Sequence, residues 1–370
     1  MKTLRTWTLA TCCCIGSVLL AQEPSYSTQE ILKDLEFFNG WEASQLAPNF
    51  KKKQLTNFRS PLMRQLAESM IEGNYQKEYR LKTYRPIASN KILQNKLKLS
   101  DGYSRYENIT GMYLEKGENV VLVGDMHGRE INLLIPDWMR QPTPGFAPTK
   151  DPEGWELKKQ VIALHEGVNV IHVEKAGNVY IDYFADDPET APGVTIHFVT
   201  GKVNGYFDAE TQTNEDWNKL LDQAVSPVMD VKTRYMQLAY PVEFLKKFDY
   251  GKGKELAQAY DQIMTQQYEF CGALKYNRVP EKRILARVNF NYFMFRDGDG
   301  VAFLGNESTM KSALGPDIYK DWGVNHEIGH VMQMSPQLTW GGMTEVSNNL
   351  FTMYVATLAG QPSRLSKSKN

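Results

Sequence analysis

The sequence is poor in cysteine. It has 4 cysteines in 370 residues, and Cys12, Cys13 and Cys14 lie together near the N-terminus. Beyond that segment only Cys271 remains, which excludes an intramolecular disulfide and a cysteine-rich metal site in the rest of the chain. Cys271 follows an apolar helical pattern, so we expect a buried structural thiol.

A large excess of charge is missing too. The 42 Lys and Arg residues almost balance the 43 Asp and Glu residues, which leaves a formal net charge of −1. This balance argues against nucleic acid or an anionic membrane as the main partner. The basic run Lys51-Lys52-Lys53 is interpreted as a solvated surface. With 42% hydrophobic residues, the composition is that of an ordinary folded protein.

No hydrophobic run is long enough to span a bilayer. At the N-terminus, Lys2 and Arg5 precede a short, mostly apolar run, and Ala21 is a plausible cleavage point. These features predict a signal peptide over residues 1–21 and an exported protein, either secreted, periplasmic or held at the cell surface. Lipoprotein anchoring at one of the cysteines at 12–14 is the less favoured alternative.

The periodicity of apolar residues changes along the chain and predicts an α+β fold in three regions. Residues 22–100 are expected to be mainly helix and loop, with the best helix at 61–72. Residues 101–210 are expected to form an antiparallel β-sandwich-like domain, with strands at 120–123, 168–173, 179–184 and 194–199. Residues 211–370 are expected to return to helices at 217–224, 242–248, 254–270 and 343–359, with strands at 284–295 and 301–304.

The most informative stretch is His326-Glu327-Ile328-Gly329-His330. On a helix, the two histidines lie one turn apart on the same face, spaced to bind one metal ion. The glutamate between them would lie beside the metal, where it can take a proton from a bound water. Bare strings of this pattern also occur by chance. Here the flanking residues favour a helix, because Val324, Ile328 and Val331 form an apolar stripe on another face.

A second helical pattern follows and carries Glu345 in its first turn. A catalytic zinc ion uses three protein ligands and keeps one open position, so Glu345 is the natural third ligand after His326 and His330. Asn349 lies one turn beyond Glu345 on the same face, where it could accept the second ring N–H of a liganding histidine. The sequence therefore predicts one Zn²⁺ per chain.

At these residues the chain resembles the M60 (enhancin-like, mucin-degrading) peptidases of the gluzincin group. The active-site resemblance lies in NHEIGHVMQM and LTWGGMTEVSNNLFTMYV, and weaker resemblance extends upstream to about Tyr103. It implies a secreted zinc metalloendopeptidase that cuts O-glycosylated, mucin-like glycoproteins, with Glu327 as general base on the zinc-bound water. It also implies a sheet whose edge strand, near Ala302 to Gly305, aligns the peptide.

Trp340, Gly341 and Gly342, which precede Glu345 in the sequence, are candidates for substrate binding. Trp340 could stack on a sugar face, although a core position is an equal alternative. Gly341 and Gly342 could let a substrate approach the backbone closely.

The resemblance also raises an alternative function. Family members usually continue with a helical subdomain, whereas here only the polar residues 361–370 follow the last predicted helix, so we expect a catalytic domain truncated at its C-terminus. A His or Tyr that stabilises the transition state commonly comes from that region. A catalytically weak or inactive glycoprotein- or glycan-binding protein that retains the metal site is therefore the alternative, and a structural surface protein with a vestigial site is another.

Two further motifs are interpreted as turns. Asp125-Met126-His127 imitates a metallophosphoesterase motif but lacks the downstream ligands of a two-metal site, so a β-turn is preferred. Asp297 to Gly300 does not continue as a calcium loop and is expected to be a hairpin turn. No ligand spacing connects the histidines at 127, 165, 172 and 197. Nothing in the sequence indicates the oligomeric state.

Overall fold

A computed structural model describes residues 25–99, 102–334 and 341–362 of the chain. The predicted signal peptide, Trp340 and the C-terminal end of the polar tail lie outside the described residues. The helices are α1 (Thr28–Asp34), α2 (Pro61–Ile71), α3 (Asn90–Leu97), α4 (Asn214–Gln223), α5 (Val242–Asp249), α6 (Gly253–Phe270), α7 (Glu307–Ala313), α8 (Trp322–Met332) and α9 (Thr344–Leu358). Short 3-10 helices cover Leu35–Phe37, Lys52–Asn57, Pro148–Lys150 and Ile318–Lys320.

The strands form three sheets. Their bounds are β1 (Leu81–Tyr84), β2 (Ile109–Leu114), β3 (Gly117–Val123), β4 (Asn132–Pro136), β5 (Lys159–Ala163), β6 (Gly167–Val173), β7 (Gly177–Asp182), β8 (Val194–Phe198), β9 (Lys202–Val203), β10 (Phe207–Asp208), β11 (Val228–Lys232), β12 (Met236–Pro241), β13 (Ile284–Asn289), β14 (Met294–Asp297) and β15 (Gly300–Leu304). The strand orders are β1-β8-β3-β6, β5-β4-β7-β2-β9 and β10-β11-β12-β13-β15-β14. The predicted α+β class is confirmed, while the domain boundaries stay a prediction.

The first two sheets pack face to face. The position of β3 explains why its sequence is continuously apolar, because both of its faces are covered. Val121 and Val123 point into the core shared with the second sheet. Val120 and Leu122 point to the opposite face, where they pack against the N-terminal helices around Ile31. Successive side chains of a strand alternate between faces, so a strand covered on both sides has apolar residues at every position.

The N-terminal region contains a strand that the periodicity did not predict. β1 pairs antiparallel with β8, with Tyr84 opposite Val194, and so extends the first sheet of the sandwich. Its sequence, Leu-Lys-Thr-Tyr, has no strict alternation of apolar and polar residues. The pairing with β8 determines its conformation, because a short strand depends on its neighbour for its hydrogen bonds.

A buried carboxyl group connects the sandwich to the third sheet. Asp230 on β11 accepts hydrogen bonds from Tyr180 Oη at 2.6 Å and Asn178 Nδ2 at 3.2 Å, both on β7. Gln237 Nε2 on β12 donates to its other oxygen at 3.2 Å. Burial raises the pKa of Asp230 to about 6, although the three donors favour the charged form. The two sheets are therefore held together by a polar cluster as well as by apolar packing.

The third sheet corrects two predictions. The single strand expected at 284–295 is two strands, because the side-chain oxygen of Asn289 accepts the backbone N–H groups of Asn291 and Tyr292, both at 2.9 Å, and forms a turn. The chain then crosses to β14 and returns through the Asp297–Gly300 hairpin turn. Consequently β15 lies between β13 and β14, and β14 is the edge strand. The predicted edge near Ala302 to Gly305 is wrong.

Other predicted features have mixed outcomes. Cys271 is half-buried at the end of α6 rather than fully buried. Asp125-Met126-His127 does form a turn, with Arg129 N–H donating to the Met126 carbonyl at 2.9 Å. Within the described residues, no helix has the length and apolar character needed to cross a bilayer.

Candidate metal centre

Helix α8 has the apolar face that the sequence predicts. It begins after Asp321, whose side chain accepts the Val324 N–H at 3.0 Å and caps the helix. Val324, Ile328 and Val331 are fully buried in the core beneath the third sheet. This apolar stripe anchors the helix, so the face that carries the two histidines is turned toward α9 and β14.

A glycine sets the distance between α8 and α9. A Cβ atom at Gly329 would lie only 2.8 Å from the backbone carbonyl oxygen of Asn348 on α9. Any larger residue would push the helices apart, since real Cβ contacts are longer. The close crossing brings the first turn of α9, with Glu345, against the histidine face of α8.

Gly329→Ala is therefore expected to destabilise the fold by about 1–3 kcal/mol through overpacking and to weaken metal binding, because α9 carries Glu345. Thermal unfolding and chelator competition would measure the two effects. Gly341→Ala is the matched control, since a Cβ there would have no atom within 4 Å. Unchanged stability and affinity in Gly329→Ala would show that the crossing is not tight.

Three side chains that could ligate a metal ion converge in this crossing. Glu345 Oε2 lies 3.1 Å from His326 Nε2 and 3.3 Å from His330 Nε2. One ligand atom from each residue lies within 4.8 Å of the others, and no second such group of His, Cys, Asp or Glu occurs within residues 25–99, 102–334 and 341–362. The histidines at 127, 165, 172 and 197 thus belong to no metal-ligating group there.

Hydrogen bonds on the far side of each imidazole set its tautomer. His326 Nδ1 lies 2.8 Å from Asn349 Oδ1, and the Asn349 amide is oriented by donating to the Glu345 carbonyl at 2.6 Å. Since Asn349 Oδ1 can only accept, His326 Nδ1 carries the proton. His326 Nε2 is then a lone-pair donor that points at the position between the three side chains.

Gln333 does the same for the second histidine, a role that the sequence analysis missed. His330 Nδ1 lies 3.1 Å from Gln333 Oε1, while Gln333 Nε2 donates to the Thr344 carbonyl at 2.6 Å and to Ser347 Oγ at 2.7 Å. The spacing of three residues after His330 was the available indication, because residues i and i+3 are neighbours on a helix.

This donor set fits a divalent metal ion. Two imidazole lone pairs and a carboxylate oxygen repel one another unless positive charge lies between them. Two histidine nitrogens with one carboxylate oxygen are a ligand set of catalytic zinc sites. His330 is nearly buried and Glu345 is 74% exposed, so the group is anchored on one side and open to the cleft on the other.

Glu327 lines the cleft between the two histidines of the motif. Burial raises the pKa of Glu327 to about 7; the His326 ring opposes this shift and the Glu345 carboxylate adds to it. A carboxyl group with a raised pKa exchanges protons readily near neutral pH, as a general base and acid must.

The cleft beside these residues has a volume of about 600 Å³. Its opposite wall is β14 with the turn that precedes it, which contributes Tyr292, Phe293, Met294, Phe295 and Arg296. Gly341 and Gly342 are exposed in the turn before α9 and do not line the cleft.

Tyr292, Phe293 and Phe295 line this wall, and Trp155 packs beside them. We call these four residues the aromatic shelf. Trp155 stacks on Tyr292 with a ring separation of 4.9 Å and an interplanar angle of 12°. It also contacts the Phe295 ring at 5.5 Å. Phe293 is 56% exposed. The shelf has no signal in the sequence, because Trp155 lies in a loop that is distant from Tyr292 along the chain.

Comparisons with known proteins give a family model that matches part of the chain and several solved structures of similar fold. The family model "Peptidase M60, enhancin and enhancin-like" matches residues 203–367. No curated protein matches the sequence. A metallopeptidase from Bacteroides thetaiotaomicron has a similar structure, with a TM-score of 0.75 and 21% identity over 93% of this chain and 58% of that one.

Two other solved structures are similar. A metallopeptidase in complex with Tn antigen has a TM-score of 0.66 and 23% identity over 79% of this chain and 54% of that one. The M60 catalytic domain of Clostridium perfringens ZmpC, in complex with the sialyl T antigen, has a TM-score of 0.60 and 17% identity over 78% of this chain and 59% of that one. At these identities the likeness shows the fold, and the chain spans less than two thirds of the length of each structure.

Proposed function

We propose that the chain is a zinc metalloendopeptidase of the peptidase M60 type that hydrolyses peptide bonds in O-glycosylated, mucin-like glycoproteins. The match of residues 203–367 to the family model supports this proposal. The observation that carries this proposal is the convergence of His326, His330 and Glu345 on one point at the cleft wall. Export of the protein from the cell, as the N-terminal sequence predicts, would bring it to such substrates.

In this proposal His326, His330 and Glu345 would hold one zinc ion, which would act as a Lewis acid and lower the pKa of water. Glu327 takes a proton from the attacking water and gives it to the amine that leaves. Asn349 and Gln333 keep the proton of each imidazole on Nδ1, so both Nε2 atoms remain available as ligands.

The edge strand would align the peptide. Among the described residues β14 pairs with β15 and no other strand, and backbone groups of an extended substrate would pair with its outer edge. It also forms the wall of the cleft that faces the three candidate ligands. A peptide added to β14 would therefore lie beside Glu327.

The aromatic shelf supports a glycosylated substrate. Exposed aromatic rings beside a cleft suit the apolar face of a sugar, and two solved relatives in fold were captured with the Tn and sialyl T antigens. A glycan on the Ser or Thr next to the cut bond would lie near this wall. The shelf alone would also serve a non-catalytic glycoprotein-binding protein, which is the second candidate function.

Incubation with an O-glycosylated mucin, with and without a chelator, tests the proposal. We expect fragments that disappear when the chelator is added and return when zinc is restored. Mucin stripped of its O-glycans should be left intact. Binding to the intact mucin without fragments in any condition would favour the non-catalytic function, and cleavage that survives the chelator would refute the metallopeptidase mechanism.

Phe293→Ala is expected to raise KM for a glycopeptide about tenfold, which corresponds to ~1.4 kcal/mol of lost binding, with little change in kcat. Because Phe293 is 56% exposed, the melting temperature should hardly change. Tyr276→Ala is the control, since Tyr276 is 67% exposed and does not line the cleft. Equal KM values for both variants would remove the shelf from substrate binding.

A further inference from the structure

Asn348 is a fully buried side chain at the metal centre with no role in the proposed mechanism. Its Nδ2 atom lies 2.9 Å from His330 Nε2 and 3.0 Å from His326 Nε2, and it also reaches the His326 carbonyl oxygen at 3.4 Å. The nitrogen therefore contacts the same two ring atoms that Glu345 Oε2 contacts. Asn348 belongs to the centre by position, although sequence spacing did not mark it.

The direction of these hydrogen bonds is determined by the tautomers. Both imidazoles carry their proton on Nδ1, so each Nε2 accepts and the Asn348 amide donates. The other end of the amide, Oδ1, is buried and has no hydrogen-bond partner among the described residues. A buried acceptor without a donor is costly, so this orientation of the amide leaves a polar atom unsatisfied.

An ion bound by both histidines would use the lone pairs that the Asn348 amide now occupies. The N–H groups would then lose these two nitrogen acceptors and point their positive ends at a cation, which is unfavourable. A half-turn of the amide about the Cβ–Cγ bond exchanges Oδ1 and Nδ2 with almost no change in shape. It would place the unsatisfied oxygen where the nitrogen now lies, next to both Nε2 atoms.

We infer that Asn348 is a fourth residue of the metal centre. Its amide hydrogen-bonds to both Nε2 atoms in the metal-free protein and turns its oxygen toward the ion when zinc binds. Asn348 thereby holds the imidazoles ready for the metal and stabilises the cation from the buried side, opposite the cleft. This inference rests on the proposed function only in taking the ion to be zinc.

The test is the zinc affinity of the full chain, measured by competition with a chromophoric chelator. Asn348→Ala should bind zinc about 10–100-fold more weakly, the usual loss when a partner around a metal site is removed. Asn348→Asp should bind zinc at least as tightly as the natural protein, because a carboxylate presents only oxygen. The visible spectrum of the cobalt-loaded protein should change in both variants, which a residue with a purely structural role would not cause.

Thr352→Val is the control. Thr352 is buried one turn further along α9, and its hydroxyl donates to the Asn348 carbonyl at 3.4 Å, so the variant perturbs the same helix without touching the centre. Equal or tighter zinc binding by Asn348→Ala would overturn the inference, and so would weaker binding by Asn348→Asp. If the natural protein itself bound no zinc, the proposed function would fail together with this inference. The two contrary results for the Asn348 variants would leave the proposed function intact.

Discussion

Glu327→Gln should lose about 10²–10⁴-fold in turnover of a glycoprotein substrate while it keeps its zinc, because glutamine has the same shape but cannot accept a proton. Glu327 lies in the cleft beside the candidate ligands and is not one of the three converging side chains. Activity and metal content should therefore separate in this variant. The rate of mucin fragmentation and the zinc content of the purified protein are the two measurements.

Glu243→Gln is the matched control, since Glu243 is exposed on α5 and does not line the cleft. Glu327→Gln should also still bind the mucin, which makes it a useful trap for substrate complexes. Turnover close to that of the natural protein would show that Glu327 is not the base. Loss of zinc together with activity would instead point to a structural role in the centre.

Glu345→Ala should bind zinc more than ~100-fold more weakly. This loss is larger than the one expected when a residue that only hydrogen-bonds to a metal ligand is removed. Without metal, the free energy of unfolding of this variant should lie within about 0.5 kcal/mol of that of the natural protein, since the Glu345 side chain is 74% exposed. Added zinc stabilises a protein that binds it only in the folded state, so the natural protein should melt at a higher temperature with zinc and Glu345→Ala should not.

Val346→Ala provides the comparison for this second variant. Val346 is the next residue of α9, is 51% exposed and is absent from the converging group, so its loss should leave zinc binding unchanged. Stoichiometric zinc in Glu345→Ala would mean that another residue completes the ligand set. Glu327→Gln and Glu345→Ala together separate proton transfer from metal binding, since the first should abolish only turnover and the second should abolish both.

Local sequence spacing was enough to predict the two helices of the centre. Residues at i and i+4 share a helix face whatever the rest of the fold does, which relates His326 to His330 and Glu345 to Asn349. The apolar stripe of α8 likewise predicted which face would be buried. For the same reason the strands and helices that were predicted from 168 onward have bounds close to those observed, except at Asn289, where a side-chain hydrogen bond to the backbone ended the strand. Other elements of this region, among them β11, β12 and α7, were not predicted.

Contacts between helices and strands could not be predicted from the spacing of residues along the sequence. Gln333, Asn348 and the close approach at Gly329 depend on the angle and distance at which α8 crosses α9, and periodicity carries neither quantity. The aromatic shelf joins Trp155 to the turn at Tyr292 across a long stretch of chain. The order of β13, β15 and β14 is a matter of pairing between strands, so the edge strand was assigned wrongly.

The sequence by itself determined the chemical groups available at this centre: two imidazoles and a carboxylate on two helices, with a glutamate next to the first imidazole. Those relations follow from the backbone geometry of single helices. Only the tertiary structure decided which atoms meet at the centre, which strand borders the cleft and which rings stand beside it. These contacts arise from packing between elements distant in the chain, where shape and burial rather than spacing select the neighbours.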